Sequence, residues 1–532
     1  MYLPYYSVPY HIEIQFVERN WVFIREYKNR IRMKIIAYSS CSLLKPAVGV
    51  LLDESLIHIE NGDEVHFVYC DKVLKSCSYN LEHNSLLCNY CQSENKRLFN
   101  EYLANTSIDV HCLSEFHLIE LEEPTFDYTT VEEVKVLLYK GVEVGASCLS
   151  SYISTTRNSF PRIDDNFKSF FNPLLKNACV AVNDIISMLD NINPDKVLLF
   201  NGRLFDVNAT IAVCKQRGIP FTCLEVADLE DKRYKLYYEN ALPHDPIANS
   251  NMIEEFWQED YITLEEKKKI GEDFFVRRRN GRATNDKSYT ASQKRNLLPK
   301  NFDVTKRNFA IFNSSEDELA SLGKQFESKN LFPTQLDGIK YVLNSVKDNP
   351  DIHFYLRIHP NLAKIGFSYH TDLYKLPEVY NNITVIGANE EIDSYALMEA
   401  CEKVVAFAST MGIESVYWKK PVIILGNTFY YDLNGFYKPT QISQIHQLLV
   451  DKLDPLDNSD SIKYGFFLMA KNPNRRFKHV DFDFYTIKLP KFTAITANYQ
   501  KWLNSRYFFS IRNLIILSIV RGTNKFFGRG KK

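Results

Sequence analysis

Near the end of the chain, an apolar segment leads into a turn that carries two hydroxyl side chains. Lys403–Phe407 is typical of a buried strand, Ser409 and Thr410 form the turn, and a helix is predicted from Met411 to Trp418. The first N–H groups of a helix have no partner within it, so with the two hydroxyls they suit a bound phosphate. The simpler interpretation is that Ser409 only caps the helix.

Two further residues of this helix fit a nucleotide site. Gly412 allows a ligand or a neighbouring backbone to approach closely, because it has no Cβ atom. Glu414 stands one turn into the helix, where a carboxylate can reach a ribose hydroxyl.

A histidine and an arginine stand at the end of another predicted strand, Ile352–Ile358. Arg357 and His359 are two positions apart, so they share one face of the strand. Pro360 cannot continue the ladder and leaves His359 at the edge of the sheet. Two potential cations at a strand end suit a diphosphate or a departing nucleotide monophosphate. A histidine packed in the core is the alternative.

The first predicted strand of the second half, Asn308–Phe312, is followed by Asn-Ser-Ser-Glu-Asp-Glu. Ser314 and Ser315 either begin a helix whose first turn is acidic or line a ligand cleft. We include both serines among the predicted nucleotide-binding residues.

Candidate residues of the N-terminal half also follow predicted strands. Asn201 and Arg203 come after Lys196–Phe200, and Arg203 suits an anionic ligand group or a surface ion pair. Glu225 and Asp228 stand at the end of the next strand, where a carboxylate serves as a general base, a cap or a surface residue.

Four cysteines form a separate cluster: Cys70, Cys77, Cys88 and Cys91. As thiolates they suit a tetrahedral structural zinc ion, which would stiffen a loop. The spacing lacks a second CxxC pair, so free or packed cysteines are the alternative.

The chain has 532 residues, enough for two or three domains, and its net charge of −1 gives no support for nucleic-acid binding. The odd number of cysteines, 11, favours a reducing compartment. Residues 1–32 do not resemble a signal peptide, and no apolar run reaches the roughly 18 residues of a membrane span. These features predict a cytoplasmic protein.

Strands and helices alternate along both halves, which predicts an α/β fold with two parallel sheets. The predicted segments are helices Leu44–Ile59 and Asp206–Arg217 and strands Lys34–Ala37, Glu64–Tyr69, Lys196–Phe200, Phe221–Val226, Asn308–Phe312, Ile352–Ile358, Ile383–Ile386, Lys403–Phe407 and Pro421–Leu425. The predicted domains are an N-terminal extension (1–32), a Rossmann-like domain (33–276), a basic linker (277–307), a second Rossmann-like domain (308–455) and a C-terminal helical segment (456–532).

The C-terminal segment ends in a basic amphipathic tail, Arg506–Lys532, with the apolar run Leu514–Val520 inside it. Such a helix can lie in the headgroup layer of a membrane and be attracted to anionic lipid. The alternative is a packed terminal helix with a frayed basic end.

A set of motifs in the second half of the chain resembles that of the capsule polysaccharide biosynthesis proteins, which include Kdo-transferring enzymes. The motifs are Asn-Ser-Ser-Glu-Asp-Glu, Gln335, Arg-Ile-His-Pro-Asn, Ser-Thr-Met-Gly-Ile-Glu-Ser and Lys-Lys-Pro-Val-Ile-Ile. Its His-Pro and Ser-Thr motifs are also similar to those of bacterial sialyltransferases that use CMP-activated sugars. The resemblance covers about Asn308 to Gly426 well and the N-terminal half loosely. Ser415 departs from the pattern, where a small alanine is expected.

The resemblance implies a GT-B-like glycosyltransferase, with two Rossmann-like domains facing a central cleft. His359, Ser409 and Thr410 would hold the phosphate of a nucleotide-sugar donor, CMP-linked as in the sialyltransferases, and no catalytic metal would be required. The acceptor would be a growing bacterial capsule or other surface polysaccharide, free or lipid-linked, bound by the N-terminal domain with Glu225 or Asp228 as the base. The tail would then hold a cytoplasmic enzyme at the inner face of the membrane.

Two alternatives stay open for the same two-domain fold. One is a polyol-phosphate transferase of the teichoic-acid type. The other is a polysaccharide-assembly scaffold without turnover.

Overall fold

The computed structural model describes most of the chain between residues 13 and 481. The described residues are 13–17, 20–24, 32–77, 79–81, 84–118, 124–229, 232–282, 284, 289–290, 292–318, 324–327 and 330–481. Only the backbone is described for 13–17, 20–24, 228–229, 232, 318 and 324–325. Most of the predicted extension and the whole tail Arg506–Lys532 therefore lie outside the described residues.

The N-terminal half contains a six-stranded sheet in the order β5-β4-β3-β6-β7-β8, and a separate hairpin, β1-β2. All neighbours in the large sheet are parallel except β7 and β8. The strands are β1 Glu13–Val17, β2 Asn20–Ile24, β3 Lys34–Ser39, β4 Glu64–Tyr69, β5 Asp109–Cys112, β6 Lys196–Phe200, β7 Phe221–Leu229 and β8 Lys232–Glu239. The central strands β3 and β6 are apolar runs because helices cover both faces of the sheet.

In the part of this half that the structure describes, eight α-helices are present. They are α1 Lys45–Glu60, α2 Ser85–Tyr102, α3 Val131–Lys135, α4 Val144–Thr156, α5 Asp165–Ile192, α6 Phe205–Arg217, α7 Pro246–Gln258 and α8 Leu264–Arg279. Helix α8 includes the first three residues of the predicted basic linker, so the chain crosses to the second sheet only after Arg279.

The second half contains a five-stranded, fully parallel sheet in the order β11-β10-β9-β12-β13. The strands are β9 Arg307–Phe312, β10 Ile352–Arg357, β11 Ile383–Ile386, β12 Lys403–Ala406 and β13 Val422–Ile424. The helices are α9 Lys324–Glu327, α10 Gln335–Ser345, α11 Ser368–Thr371, α12 Leu376–Val379, α13 Ser394–Ala400, α14 Met411–Tyr417, α15 Gln444–Val450 and α16 Ser459–Met469.

Both sheets have the strand order of a Rossmann-like fold, so the predicted fold class is confirmed. Each strand and helix predicted between Lys34 and Leu425 is observed, and the largest difference is the extension of β7 from Val226 to Leu229. In each sheet the order reverses once, between β3 and β6 in the first and between β9 and β12 in the second. Ligands of open α/β sheets bind at such points, beyond the carboxyl ends of the strands.

After the second sheet, the chain returns to the N-terminal domain. Helix α16 crosses α8 so closely that a Cβ atom on Gly465 would lie 2.3 Å from the Gly271 carbonyl oxygen. The N–H groups of Lys478, His479 and Val480 then donate to Asp53 Oδ1 at 3.0, 2.7 and 2.9 Å. Residues 459–480 therefore fasten the end of the described chain to the first domain.

Among the described residues, no helix has the length and apolar character needed to span a membrane. The tail that would bind a membrane surface is outside these residues, so that association stays a prediction.

Candidate functional site

The Ser-Thr turn after β12 is built as a helix start with a strained entry. Ala408 has φ +53°, which is unusual for a residue with a side chain. Ser409 Oγ accepts the N–H of Met411 at 3.4 Å, and the carbonyl of Ser409 accepts both the Gly412 N–H and the Tyr430 hydroxyl. Thr410 is the N-cap of α14 and makes no side-chain capping bond, while the side chain of Ser409, one residue earlier, is buried.

Gly412 and Glu414 are packed inside the domain. A Cβ atom on Gly412 would lie 2.4 Å from the Tyr430 hydroxyl oxygen, so the close approach at this glycine comes from a tyrosine. Glu414 is 1% exposed, and its carboxylate accepts hydrogen bonds from Arg278 and the Tyr395 hydroxyl. Its observed partners are thus protein side chains, and the predicted ribose contact stays a prediction.

Arg278, in the last turn of α8, ties the Ser-Thr turn to the rest of the site. Its Nε donates to Glu414 Oε1 at 3.0 Å, and a terminal nitrogen donates to Thr410 Oγ1 at 3.2 Å. Arg278 was not predicted as a site residue because Arg277–Arg279 begin the predicted basic linker. A signal for Arg278 was present in the sequence. It stands four residues after Phe274 and three after Phe275, a spacing that places it on the same, buried face of the helix.

His359 lies just beyond β10 and is held at both its backbone and its ring. Its N–H donates to Asn313 Oδ1 at 2.9 Å, and its Nδ1 accepts the Asn361 N–H at 3.2 Å. Because Nδ1 is an acceptor, the proton of the neutral ring is on Nε2. Tyr289 contacts the ring edge to face, with centroids 4.9 Å apart.

His359 lies near three arginines, two of which are ion-paired, Arg157 with Asp317 and Arg278 with Glu414. Burial lowers its pKa to about 4, and the charges of Arg357, Arg157 and Arg278 contribute to the decrease. The imidazole is therefore a neutral N–H donor at pH 7, surrounded by three guanidinium groups. A phosphate is the kind of ligand that such a field attracts.

Arg357 supplies charge from a buried position. One terminal nitrogen donates to the Glu390 carbonyl at 3.0 Å and the other donates to the Gly387 carbonyl, so the guanidinium holds the loop after β11. Burial lowers the pKa of Arg357 from its usual value. A direct phosphate contact is not among its observed interactions and stays a prediction.

The loop after β9 connects the two domains through Ser315 and Asp317. Ser315 Oγ accepts a hydrogen bond from Arg157 at 2.8 Å, and Arg157 Nε forms an ion pair with Asp317 Oδ2 at 2.6 Å. Arg203 donates to the Asp317 carbonyl at 2.9 Å and to Ser150 Oγ at 2.9 Å. Two arginines of the first domain therefore meet one loop of the second.

Ser314 is held within its own domain by Gln335, at the start of α10. The Ser314 N–H donates to Gln335 Oε1 at 3.0 Å, and Gln335 Nε2 donates back to Ser314 Oγ at 2.8 Å. This reciprocal pair fixes the loop that follows β9.

A pocket of about 670 Å³ lies between the domains, at the carboxyl ends of β9, β12 and β13. The second domain lines it with Glu316, Ala408, Gly426 and Asn427, among others, and the first domain contributes residues of α3 and α4 and of the segment that follows α4. Ala408 directly precedes the Ser-Thr turn. His359, Ser409 and Thr410 themselves do not line this pocket.

The first domain has two neighbouring cavities. One of about 220 Å³ lies at the β3–β6 reversal and is lined by Asn201, Arg203 and His244, among others. The other, of about 820 Å³, again includes Arg203 and His244 and reaches Phe326 and Asn427 of the second domain. Arg203 therefore reaches the interdomain region, whereas Asn201 lines only the cavity within the first domain.

Of the two predicted bases, the structure describes the side chain of Glu225 but not that of Asp228. Glu225 accepts a hydrogen bond from the Asn201 side chain, and burial raises its pKa to about 7. It does not line the three cavities above. The side chain of Asp228 lies outside the described residues, so its role as a base stays a prediction.

The four clustered cysteines surround a cavity of about 20 Å³ together with Cys41. Their thiols are free, and Asn80 Nδ2 donates to Cys88 Sγ at 3.1 Å. In the part of the chain that the structure describes, no three His, Cys, Asp or Glu side chains are arranged to hold a metal ion. The predicted structural zinc ion stays a prediction.

Comparisons with known proteins found one family and several distant folds. No curated protein matches the chain in sequence. A KpsC beta Kdo 2,4 transferase from Thermosulfurimonas dismutans is 14% identical over 51% of this chain and 79% of its own, with a TM-score of 0.32. A UDP-GlcNAc 2-epimerase from Neisseria meningitidis, solved with UDP-GlcNAc, is 10% identical over 83% of this chain and 100% of its own, with a TM-score of 0.24.

The glycosyltransferase SnogD from Streptomyces nogalater is 12% identical over 82% of this chain and 96% of its own, with a TM-score of 0.20. Scores this low do not carry an activity from these proteins to the chain. The family described as "Capsule polysaccharide biosynthesis protein" matches residues 321–447, which include the His-Pro motif and the Ser-Thr turn. The resemblance to capsule polysaccharide biosynthesis proteins is therefore confirmed for this part of the chain.

Proposed function

We propose that this protein transfers a sugar from a nucleotide-activated donor to a growing bacterial capsule or other surface polysaccharide. The observation that carries the proposal is the neutral imidazole of His359, which lies at the carboxyl end of β10 among the charges of three arginines. The match of residues 321–447 to a capsule biosynthesis family supports it.

The leaving phosphate sets the chemical demand on the second domain. As the bond between the sugar and the phosphate breaks, negative charge grows on the phosphate oxygen. The Nε2–H group of His359 donates to that oxygen, and the charges of Arg157 and Arg278 stabilise it. Ser409 and Thr410 hold the adjoining turn, and Arg278 couples this turn to the histidine.

The acceptor approaches from the first domain. Arg203 and His244 line cavities on that side, and the largest of them reaches Asn427 in the second domain. Asn427 also lines the pocket beside the Ser-Thr turn, so the two cavities share a wall. An acceptor hydroxyl bound on the first domain is thereby brought to the anomeric carbon of a donor bound on the second.

A nucleotide panel tests the proposal directly. The purified chain is heated with CMP, UDP, CMP-linked Kdo, CMP-linked N-acetylneuraminic acid, UDP-linked N-acetylglucosamine and CDP-glycerol. A ligand present at a hundred times its Kd stabilises a folded protein by about 2.7 kcal/mol, which is easily measured as a rise in Tm. We expect stabilisation by a CMP-linked sugar, followed by release of the nucleotide.

The matched variants are His359→Ala and His446→Ala. His446 is an exposed histidine of α15 whose ring contacts the Ser345 carbonyl. We expect His359→Ala to lose donor stabilisation and nucleotide release, and His446→Ala to keep both. Stabilisation by CDP-glycerol alone would favour the polyol-phosphate alternative, and a bound donor that is never consumed would favour the scaffold. A chain that binds no nucleotide contradicts the proposal.

A further inference from the structure

Glu316 is a carboxylate at the boundary of the two domains that the sequence analysis left unassigned. It follows β9, the strand at which the order of the second sheet reverses, and it lines the interdomain pocket of about 670 Å³. The backbone N–H of Gln335 donates to Glu316 Oε1. Among the described residues, Glu316 Oε2 accepts no hydrogen bond and no cation pairs with this carboxylate.

The other acids near this pocket are less suited to proton transfer. Glu327 forms an ion pair with Lys135 at 3.0 Å, so its carboxylate already has a partner. Glu132 lies on the exposed surface of α3. Glu225 is hydrogen-bonded to Asn201 and does not line the pocket. Among the described acids near this pocket, Glu316 combines partial burial, an unused oxygen and a place in the cleft.

We propose that Glu316 is the general base of the transfer, an inference that rests on the proposed function. The acceptor hydroxyl oxygen forms a bond to the anomeric carbon, and its proton passes to Glu316 Oε2. The bond between that carbon and the phosphate oxygen breaks, and its electron pair stays on the phosphate. The Gln335 N–H keeps the carboxylate oriented throughout.

The electrostatics of the site agree with this geometry. The pKa of Glu316 is raised to about 7, mainly by burial and to a smaller extent by the charges of Asp337 and Asp317, against the effect of the Gln335 N–H. A base whose pKa lies near the working pH is present in its charged form and still binds a proton well. The reaction rate should therefore increase with pH up to about 7 and then level off.

The test is Glu316→Gln, which keeps an oxygen for the Gln335 N–H and loses the base. Nucleotide release from each donor of the panel is followed from pH 5.5 to 8.5, with water or an added glycan as the acceptor. At pH 8 we expect about a 100-fold or larger loss of release, in the range typical of a general base. The variant should keep the thermal stabilisation by donor, and its remaining rate should no longer increase with pH.

Asp337→Asn is the matched control. Asp337 is an exposed residue of α10 that caps the helix with Thr334 and raises the pKa of Glu316 through its charge. This change should leave the rate at pH 8 unaltered and move the midpoint of the pH profile to lower pH. A role of Glu316 in structure alone would not produce that shift.

The outcomes separate the two proposals. If wild type releases nucleotide and Glu316→Gln releases it equally fast, Glu316 is not the base and the proposed function survives. If Glu316→Gln loses donor stabilisation along with release, Glu316 supports binding and the inference is likewise wrong. If wild type neither binds nor releases a nucleotide, the proposed function is wrong, and so is the inference that rests on it.

Discussion

The two domains have similar strand orders but differ in the cavity at the point where the order reverses. In the first domain, the crevice between β3 and β6 is a cavity of about 220 Å³ lined by residues of that domain alone. In the second, the carboxyl ends of β9 and β12 open onto a pocket about three times larger, which both domains line. The topology fixes where a site can form, and the loops decide which site is accessible.

The same contrast applies to one acid in each domain. Burial raises the pKa of both Glu225 and Glu316 to about 7. Glu225 is held by the side chain of Asn201, whereas Glu316 is held by a backbone N–H and faces the interdomain pocket. A raised pKa alone therefore does not identify a catalytic acid or base. Its access to the cleft is the second requirement.

The largest expected effect separates these two acids. Glu316→Gln and Glu225→Gln each remove one buried carboxylate and keep the shape of the side chain. We expect the loss of nucleotide release at pH 8 to be at least about tenfold greater for Glu316→Gln, since a general base contributes about 100-fold or more. Steady-state release by both variants measures the difference. A larger loss for Glu225→Gln would move the catalytic base to the first domain.

A packing change in the second domain should have the next largest effect. In Gly412→Ala the new methyl group would lie 2.4 Å from the Tyr430 hydroxyl oxygen and 3.1 Å from Ala406 Cβ. We expect a loss of about 1–3 kcal/mol in the free energy of unfolding, as for other overpacked sites. Urea unfolding measures it. Gly366→Ala, where no atom lies within 4 Å of the added group, is the control and should be close to wild type.

The contact between the domains can be weakened at Arg157. Arg157→Met removes the ion pair with Asp317, the hydrogen bond to Ser315 and one of the charges near His359. We expect donor affinity to decrease about tenfold, within the range for charge-assisted hydrogen bonds. The pKa of His359 should increase, because a like charge has been removed. Nucleotide titration and NMR titration of the ring measure the two effects. An unchanged pKa would place Arg157 away from the site.

The stability of the chain should also depend on pH through two histidines, one from each domain. Burial lowers the pKa of His244 to about 3 and that of His359 to about 4, against 6.5 for an ordinary histidine. As pH falls below 6.5, the unfolded chain therefore binds protons that the folded chain does not. Stability present above pH 6.5 is lost as pH falls towards 4, by at most about 1.4 kcal/mol per pH unit for each group.

The measurement is urea unfolding of wild type, His359→Gln and His244→Gln at several pH values. Each variant should lose less stability than wild type between pH 6.5 and pH 4.5. Glu225 and Glu316 act in the opposite direction, since carboxyls with a raised pKa contribute stability in acid that is lost as pH rises through about 7. Comparison with wild type at each pH removes their effect. Parallel curves for wild type and variants would contradict the proposed burial of the histidines.

Much of the fold could be predicted from the sequence because its strands are short apolar runs. Segments such as Lys196–Phe200 and Ile383–Ile386 are observed with the predicted bounds. In a parallel sheet such runs are buried on both faces, so composition alone identifies them. The ends of β7 and β12 differ from the predicted bounds because the last residues of a strand are decided by its neighbours.

The candidate site could be predicted only in part. The hydroxyls of Ser409 and Thr410 and the His-Pro pair follow strands, and a local pattern is enough to find them. Arg157 and Arg278 come from helices of the first domain, far away in sequence, and only the tertiary fold brings their charges to His359. Glu316 stood within a predicted acidic helix turn, where a capping role and an active-site role look the same.

The anchoring of Val480 beside Asp53 has a consequence for the rest of the chain. Whatever residues 482–532 bind is attached to the domain proposed to hold the acceptor, because the described chain ends on that domain. If the basic tail binds anionic lipid, a lipid-linked glycan is presented to the acceptor domain from the same surface.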